Sequence, residues 1–389
     1  MKKILLIRFS ALGDVAMLSP VVRLLAERHP ELEVTVLSRP FCEPLFGGMT
    51  GNVRFMGRDI KNDYKGLRGL FRLFRELDRE GFDCIMDMHD VLRTKVLRKL
   101  FRLHGYRVYK INKRRELRKV ITAQGSRKQL RQLPTSFENY AEVIRKAGLG
   151  DVLDVLDVLC NAIAEKAEKE GAEKEGAEKE GVEKEGVKKE GVKKEGVKKE
   201  GAEGKGARLI GIAPFAAHQG KIYPIERMEK VIALLGECKR NAVKDSYETL
   251  RYENENKVNV ILFGGGGDER AKMQEWADKY PHVHLASEYC KNLSEELELM
   301  SRLDVMVSMD SANMHLASLV GTRVVSIWGA THPFAGFLGW GQRMDDCIQR
   351  DDLACRPCSI YGNRPCLRGD LACMDIAPSL IIERLKIEN

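Results

Sequence analysis

Short apolar runs alternate with amphipathic stretches twice along this chain, and a charged tract separates the two passages. In the first passage, residues 3–7, 33–38, 53–56, 84–88 and 107–110 are runs too short for helices, rich in Val, Ile and Leu. Between them, residues 15–28, 64–79, 91–103 and 137–147 place apolar side chains at helical spacing. The alternation resumes after residue 208, with strands expected at 209–213, 258–263, 283–285, 305–308 and 323–327. Helices are expected there at 225–238, 269–279, 294–301 and 312–320. Strand and helix in strict alternation predict a parallel sheet covered on both faces. The expected fold class is therefore α/β, two Rossmann-like domains whose parallel sheets face each other across a cleft. Ligands of such sheets bind beyond the carboxyl ends of the strands.

The tract between the passages is of another kind. From Glu168 to Ala202 a pentad of Lys, Glu, Gly and one small apolar residue recurs. A glycine in every pentad costs about 1 kcal/mol each against alanine in a helix, and the apolar content is too small for a core. It reads as a charged linker without chemistry. The domain boundaries expected are thus 1–150, a linker over 151–207, and 208–389, with residues 239–257 a long polar loop.

Charge changes the picture more than composition does. The 389 residues carry a net charge of +8. Between Arg93 and Arg131, however, fifteen Lys or Arg residues face one acid, Glu116. So dense a basic segment implies an anionic partner: a phosphorylated glycolipid, a membrane surface or a nucleic acid. The segment has few aromatics for base stacking (Phe101, Tyr106 and Tyr109) and no recognition motif, which disfavours nucleic acid. Arg8 interrupts the apolar N-terminus before it reaches signal-peptide length, and no run approaches the roughly 20 apolar residues of a membrane span. A cytoplasmic protein is expected, with peripheral association at the inner membrane as an option.

Four loops after strands carry candidate chemistry. In Arg8-Phe-Ser-Ala-Leu-Gly-Asp14, Gly13 permits close approach of a ligand, and Asp14 near a helix start could take a proton from an acceptor hydroxyl or simply cap the helix. In Ala213-Pro-Phe-Ala-Ala-His-Gln-Gly-Lys221, Lys221 offers a mobile positive charge to a phosphate. Phe263-Gly-Gly-Gly-Gly-Asp-Glu-Arg270 matches neither G-x-G-x-x-G nor a P-loop, which disfavours a dinucleotide cofactor; Asp268 or Glu269 could hold a ribose or base. In Ser308-Met-Asp-Ser-Ala-Asn-Met-His315, Ser311 and the N–H groups of Ala312 and Asn313 would form a helix-start anion site suited to a diphosphate. Asp310 and His315 lie beside it. No D-x-D pair for a metal-held diphosphate occurs, so Lys221 and the helix start would carry that electrostatic role. Near the C-terminus, Cys355, Cys358, Cys366 and Cys373 could build a structural zinc site, pair as disulfides or remain free thiols.

Ser10-Ala-Leu-Gly-Asp14, Lys221 ahead of an apolar helix, and Asp310-Ser-Ala-Asn-Met-His315 together resemble the ADP-heptose:lipopolysaccharide heptosyltransferase family. The resemblance spans nearly the whole chain apart from the linker and residues 239–257, and the C-terminal cysteine pattern is similar to that of many members. It implies a GT-B fold and an inverting, metal-independent transfer that requires no cofactor, with an ADP-sugar as substrate. It also implies Asp14 as general base, with Lys221 and the segment Asp310 to His315, including Ser311 and Ala312, on the donor phosphates. Glu269 would hold the nucleoside. The implied acceptor is the phosphorylated inner core of a lipopolysaccharide precursor at the inner membrane surface. Ser10, Arg93 and Lys95 are its candidate contacts, and a monomer is expected. Ile222-Tyr-Pro224 stands where members carry a Trp-Pro pair, which leaves two other readings open. One is transfer of another nucleotide sugar to a different acidic glycan; the other is a sugar-nucleotide epimerase of the same fold.

Overall fold

The computed structural model describes residues 2–153, 208–236 and 258–386. The pentad tract, the whole of the expected 239–257 loop and the end of the expected 225–238 helix lie outside the described residues.

The first half begins with β1 (Lys3–Ile7), whose apolar run is buried on both faces, as a central parallel strand requires. Helix α1 (Leu12–Arg28), β2 (Glu33–Ser38), β3 (Val53–Gly57), α2 (Gly66–Asp78), β4 (Cys84–Asp87), α3 (Leu92–Leu103) and β5 (Arg107–Lys110) follow. Two further helices, α4 (Arg115–Ile121) and α5 (Ser136–Lys146), close the half. All pairings are parallel, in the order β3-β2-β1-β4-β5. Helix α2 buries Leu70, Leu73, Phe74 and Leu77, an i, i+3, i+4, i+7 stripe. With Leu97 and Phe101 of α3, these side chains cover Leu5, Ile7 and Ile85 of the sheet.

The second half runs β6 (Arg208–Ala213), α6 (Ile225–Leu235), β7 (Val258–Leu262), α7 (Gly267–Lys279), β8 (Val283–Leu285), α8 (Ala286–Tyr289), α9 (Leu293–Ser301), β9 (Val305–Met309), α10 (Ala312–Leu319), β10 (Val324–Trp328), β11 (Cys347–Gln349) and α11 (Pro378–Leu385). Its strands are parallel in the order β11-β10-β9-β6-β7-β8. This is the Rossmann order, and it reverses direction between β6 and β9; in the first sheet the reversal falls between β1 and β4.

The expected fold class is present, with three local differences. Helix α1 starts at Leu12 rather than 15, because the Asp14 carboxylate reaches back to the Ala11 N–H at 3.1 Å and caps the first turn. Helix α4 was not expected, since its seven residues, RELRKVI, bury only Ile121 and show too little apolar periodicity. Strand β11 and helix α11 were missed because a three-residue strand and an eight-residue helix give short signals. No helix among the described residues is long and apolar enough to cross a membrane.

Candidate active site

Both switch points carry the loops singled out in the sequence. Just past β1, Arg8 turns inward. Its Nη1 donates to the Met88 carbonyl at 2.5 Å, Nη2 lies 2.7 Å from Asp14 Oδ2, and the guanidinium sits over the Tyr140 ring at 5.6 Å. Tyr140, on α5, donates its hydroxyl to the Asp14 carbonyl at 3.0 Å. Burial by itself would push the Asp14 carboxyl upward, but Arg8 and the Ala11 N–H outweigh it and hold it below the usual carboxylate range. Asp14 is therefore an ionised, oriented carboxylate. Beside it, Ser10 Oγ is 3.2 Å from His89 Nε2. Burial and the neighbouring Arg8 push His89 down to about 3, which leaves it neutral.

The loop holding His89 is itself shaped by charge. Asp87 accepts from the His89 and Asp90 N–H groups at 3.0 and 2.9 Å, and Arg98 of α3 binds Asp87 at 2.6 Å and Asp90 at 3.1 Å.

At the second switch point, β9 delivers Asp310 to the start of α10. Lys221 Nζ lies 2.8 Å from the buried Asp310 carboxylate and donates to the Asp310 carbonyl at 3.0 Å. Ser311 is the N-cap residue, yet its side chain does not cap; its hydroxyl lies 3.2 Å from that of Ser308. The first N–H groups of α10 thus remain available to an anion. Gly362 lies against the Lys221 stem with φ +71°, and a Cβ there would come within 2.6 Å of Lys221 Cγ. His315 is buried, and burial pushes it down to about 4 against the pull of Asp310 and Asp14. Glu269, at the start of α7, accepts from the Gly265 and Gly266 N–H groups at 3.1 and 3.2 Å, so it shapes the glycine loop while lining the cavity.

The two helix starts meet directly. A Cβ on Gly13 would lie 2.6 Å from His315 Cδ2 and 3.3 Å from Ala312 Cα, so glycine is what lets α1 approach α10. Around this crossing a cavity of about 580 Å³ gathers Asp14, Lys221, Glu269, Asp310, Ser311, Ala312 and His315. A smaller cavity of about 250 Å³ opens on the other side of Asp14. Ser10, His89, Lys113, Arg118 and Tyr361 line it. Lys113 also lines a third cavity of about 800 Å³, together with Lys110, Arg114, Arg115 and Lys146.

Arg93 and Lys95 are not brought to any of these cavities; both stand on the exposed side of α3. Of the basic segment, Lys110, Lys113, Arg114, Arg115 and Arg118 line them instead. Some cations of the basic segment are bound within the fold: Arg98 to Asp87, Arg114 to Glu142 at 2.5 Å, and Lys128 to the Ala354 and Pro357 carbonyls.

The cysteine segment contributes in a way its thiols did not suggest. Cys355, Cys358, Cys366 and Cys373 are free thiols. Among the described residues no three His, Cys, Asp or Glu side chains are grouped to hold a metal ion. Cys373 is buried in the apolar core of the second half, while Cys358 Sγ faces the Ala330 carbonyl at 3.9 Å. What the segment does supply is Tyr361, whose hydroxyl accepts from Arg118 at 2.6 Å, and Gly362 beneath Lys221. Arg8, His89, Arg118 and Tyr361 were not read as site residues; of these, only Arg8 lay inside a motif.

Residues 244–364 match the family model described as glycosyltransferase family 9 (heptosyltransferase). No curated protein matches the chain. Among solved structures, a glycosyltransferase family 9 protein from Veillonella parvula aligns at 16% identity and TM-score 0.63, over 98% of this chain and 96% of that one. ADP-heptose lps heptosyltransferase II of E. coli aligns at 17% identity and TM-score 0.57, over 99% and 97%. E. coli heptosyltransferase WaaC with ADP aligns at 13% identity and TM-score 0.54, over 87% and 92%. At such identities the structural likeness shows the GT-B fold. The family match lies in the half that carries Lys221 and α10, and residues 244–364 are there similar to the glycosyltransferases of family 9.

Proposed function

We propose that this enzyme transfers a heptose from ADP-heptose to the anionic inner core of a lipopolysaccharide precursor, with inversion and without a metal ion. The observation that carries the reading is the single cavity in which Asp14 from one half faces Lys221 and the start of α10 from the other. The E. coli relative solved with ADP, and again with ADP-2-deoxy-2-fluoro heptose, supports the choice of donor. The basic walls of the two neighbouring cavities support an acidic acceptor. A lipid-linked acceptor would bring the protein to the membrane surface. Both sides of the site come from one chain, so a monomer suffices.

In this mechanism the donor diphosphate lies along the uncapped N–H groups of α10, beside Lys221. The acceptor hydroxyl lies between Asp14 and the anomeric carbon. Its oxygen attacks that carbon as the bond to the diphosphate breaks, and its proton passes to Asp14. ADP leaves with the bonding pair, its charge met by Lys221 and the helix start. Arg8 keeps Asp14 ionised, so the carboxylate needs no prior deprotonation. A carboxylate this acidic takes the proton late, once attack has made the hydroxyl acidic.

The test is ADP release from ADP-heptose by the purified protein in EDTA, with and without deacylated inner core. Release that depends on acceptor is the expected result. Release only after a divalent cation is restored would overturn metal independence. Release without acceptor would overturn transfer, and no release with this donor would overturn the choice of heptose.

A further inference from the structure

Helices α2 and α3 pack side by side over one face of the first sheet, and their outer sides have no role in the site described. The exposed side of α2 carries Arg68, Arg72, Arg75 and, just past its end, Arg79; that of α3 carries Arg93, Lys95, Lys99 and Arg102. Apolar side chains stand among these cations: Leu67 is 72% exposed, Phe71 50%, Leu92 78% and Leu103 72%. The acids of α2, Glu76 and Asp78, are half-buried and fewer than its cations. Glu76 is bound by the Tyr64 hydroxyl at 2.6 Å, Asp78 by the Tyr106 hydroxyl at 2.8 Å, and α3 contains no acid. Among the described residues, none of Arg68, Arg75, Arg79, Lys95, Lys99 and Arg102 pairs with a carboxylate.

We propose that this face of α2 and α3 docks the enzyme on an anionic phospholipid bilayer, with Leu67, Phe71, Leu92 and Leu103 entering below the headgroups and the surrounding Arg and Lys residues lying among the phosphates. Charge complementarity selects the partner, and the interleaved apolar side chains select a lipid surface over a soluble polyanion, which rewards cations alone. Single large side chains, each flanked by cations on a helical face, also suit insertion better than they suit the continuous apolar patch at the core of a protein interface. The placement has a use. Leu92 begins α3 two residues after Asp90, which lines the basic cavity of about 800 Å³, and three after His89, which lines the cavity beside Asp14. A bilayer against this face would thus hold a lipid-linked acceptor with its headgroup next to the site. That use rests on the proposed acceptor; the docking itself does not.

The experiment is co-sedimentation of the full-length protein with vesicles of phosphatidylethanolamine and phosphatidylglycerol, and with vesicles of phosphatidylcholine alone, with neither donor nor acceptor present. Binding to the first and not the second is expected, weakening as salt is raised. The double variant Leu67→Ser, Phe71→Ser and the triple variant Arg68→Gln, Arg75→Gln, Arg79→Gln should each lower partitioning about tenfold or more. Both should keep wild-type melting behaviour and wild-type turnover on deacylated, soluble acceptor, since none of these residues lines the site. Equal binding to both vesicle types, or wild-type binding by either variant, overturns the proposal. Loss in the charge variant alone, with DNA stripping the protein from vesicles, overturns it in favour of a soluble polyanion. Absent transfer with intact vesicle binding would count against the proposed reaction and not against the docking face.

Discussion

At the scale of single residues, Asp14 shows how one carboxylate is kept ready. Its sequence position, third in a helix, would be filled as well by a capping acid, and Asp14 does cap Ala11. Arg8 distinguishes it, because a buried guanidinium 2.7 Å away holds the charge in place. Asp14→Asn should lower kcat by about 10²- to 10⁴-fold while leaving the dissociation constant for ADP close to wild type by calorimetry; wild-type turnover would remove Asp14 from the chemistry. Arg8→Gln removes the charge that opposes burial at Asp14 and leaves chiefly the Ala11 N–H to do so, so its pKa rises. The acid limb of log kcat against pH should then move upward from its wild-type position, and superimposable limbs would mean Arg8 does not govern that ionisation. His315 supplies a stability prediction. Its folded pKa, about 4, lies below the ordinary histidine value of 6.5. The unfolded chain therefore takes up a proton that the folded one refuses, and stability falls as pH drops from about 6.5 towards 4. From this one side chain the loss should be about 2 kcal/mol between pH 7 and pH 5. Urea titrations of wild type and His315→Gln at the two values read it directly; an identical pH dependence would refute the burial argument.

At the scale of elements, each site group is held by a strand end and a helix start, and the decisive feature is what the helix start lacks. Helix α10 has a serine at its N-cap that does not cap, which leaves donors for a ligand; α5, by contrast, is closed by Thr135 and Glu138 in a reciprocal pair. The cysteine segment acts as a support for Lys221 through Gly362. Gly362→Ala would place a side chain at φ +71° and against the Lys221 stem. The conformation alone costs about 1–2 kcal/mol, and displacement of Lys221 should raise KM for the donor several-fold while the acceptor KM holds. A change confined to the acceptor KM would show that the segment serves the other substrate.

At the scale of the whole molecule, the two halves are joined beside the site as well as across it. Leu133 N–H donates to the Phe334 carbonyl at 2.8 Å and Ser136 N–H to the Gly336 carbonyl at 2.9 Å, while Arg118 and Lys128 reach from the first half to the cysteine segment. The cations of the basic cavities come from the first half, and the helix start with its single lysine from the second. Salt screens the many dispersed cations more than the enclosed ones. Raising salt should therefore raise KM for an anionic acceptor more steeply than KM for the donor in steady-state kinetics. Parallel salt slopes would contradict the division of ligands between the halves.

The sequence by itself determined the alternation of strand and helix, because a strand buried on both faces needs a short continuous apolar run and the crossover helix needs a periodic one; both are local patterns. It also marked the loops of Asp14, Lys221, Glu269 and Asp310–His315, because a loop that follows a strand and opens a helix must bring backbone and small residues close to a ligand. Only the tertiary structure decided which of the fifteen cations of the basic segment line a cavity. Arg98 went to a buried aspartate, Arg93 and Lys95 to an outer face, and Lys113 and Arg118 to the site, although all five look alike in sequence. The same holds for Cys355, Cys358, Cys366 and Cys373, whose spacing suggested a metal and whose segment instead presents Tyr361 and Gly362 to the cleft. Burial, pairing and orientation are set by residues far away in the chain, and local spacing carries no record of them.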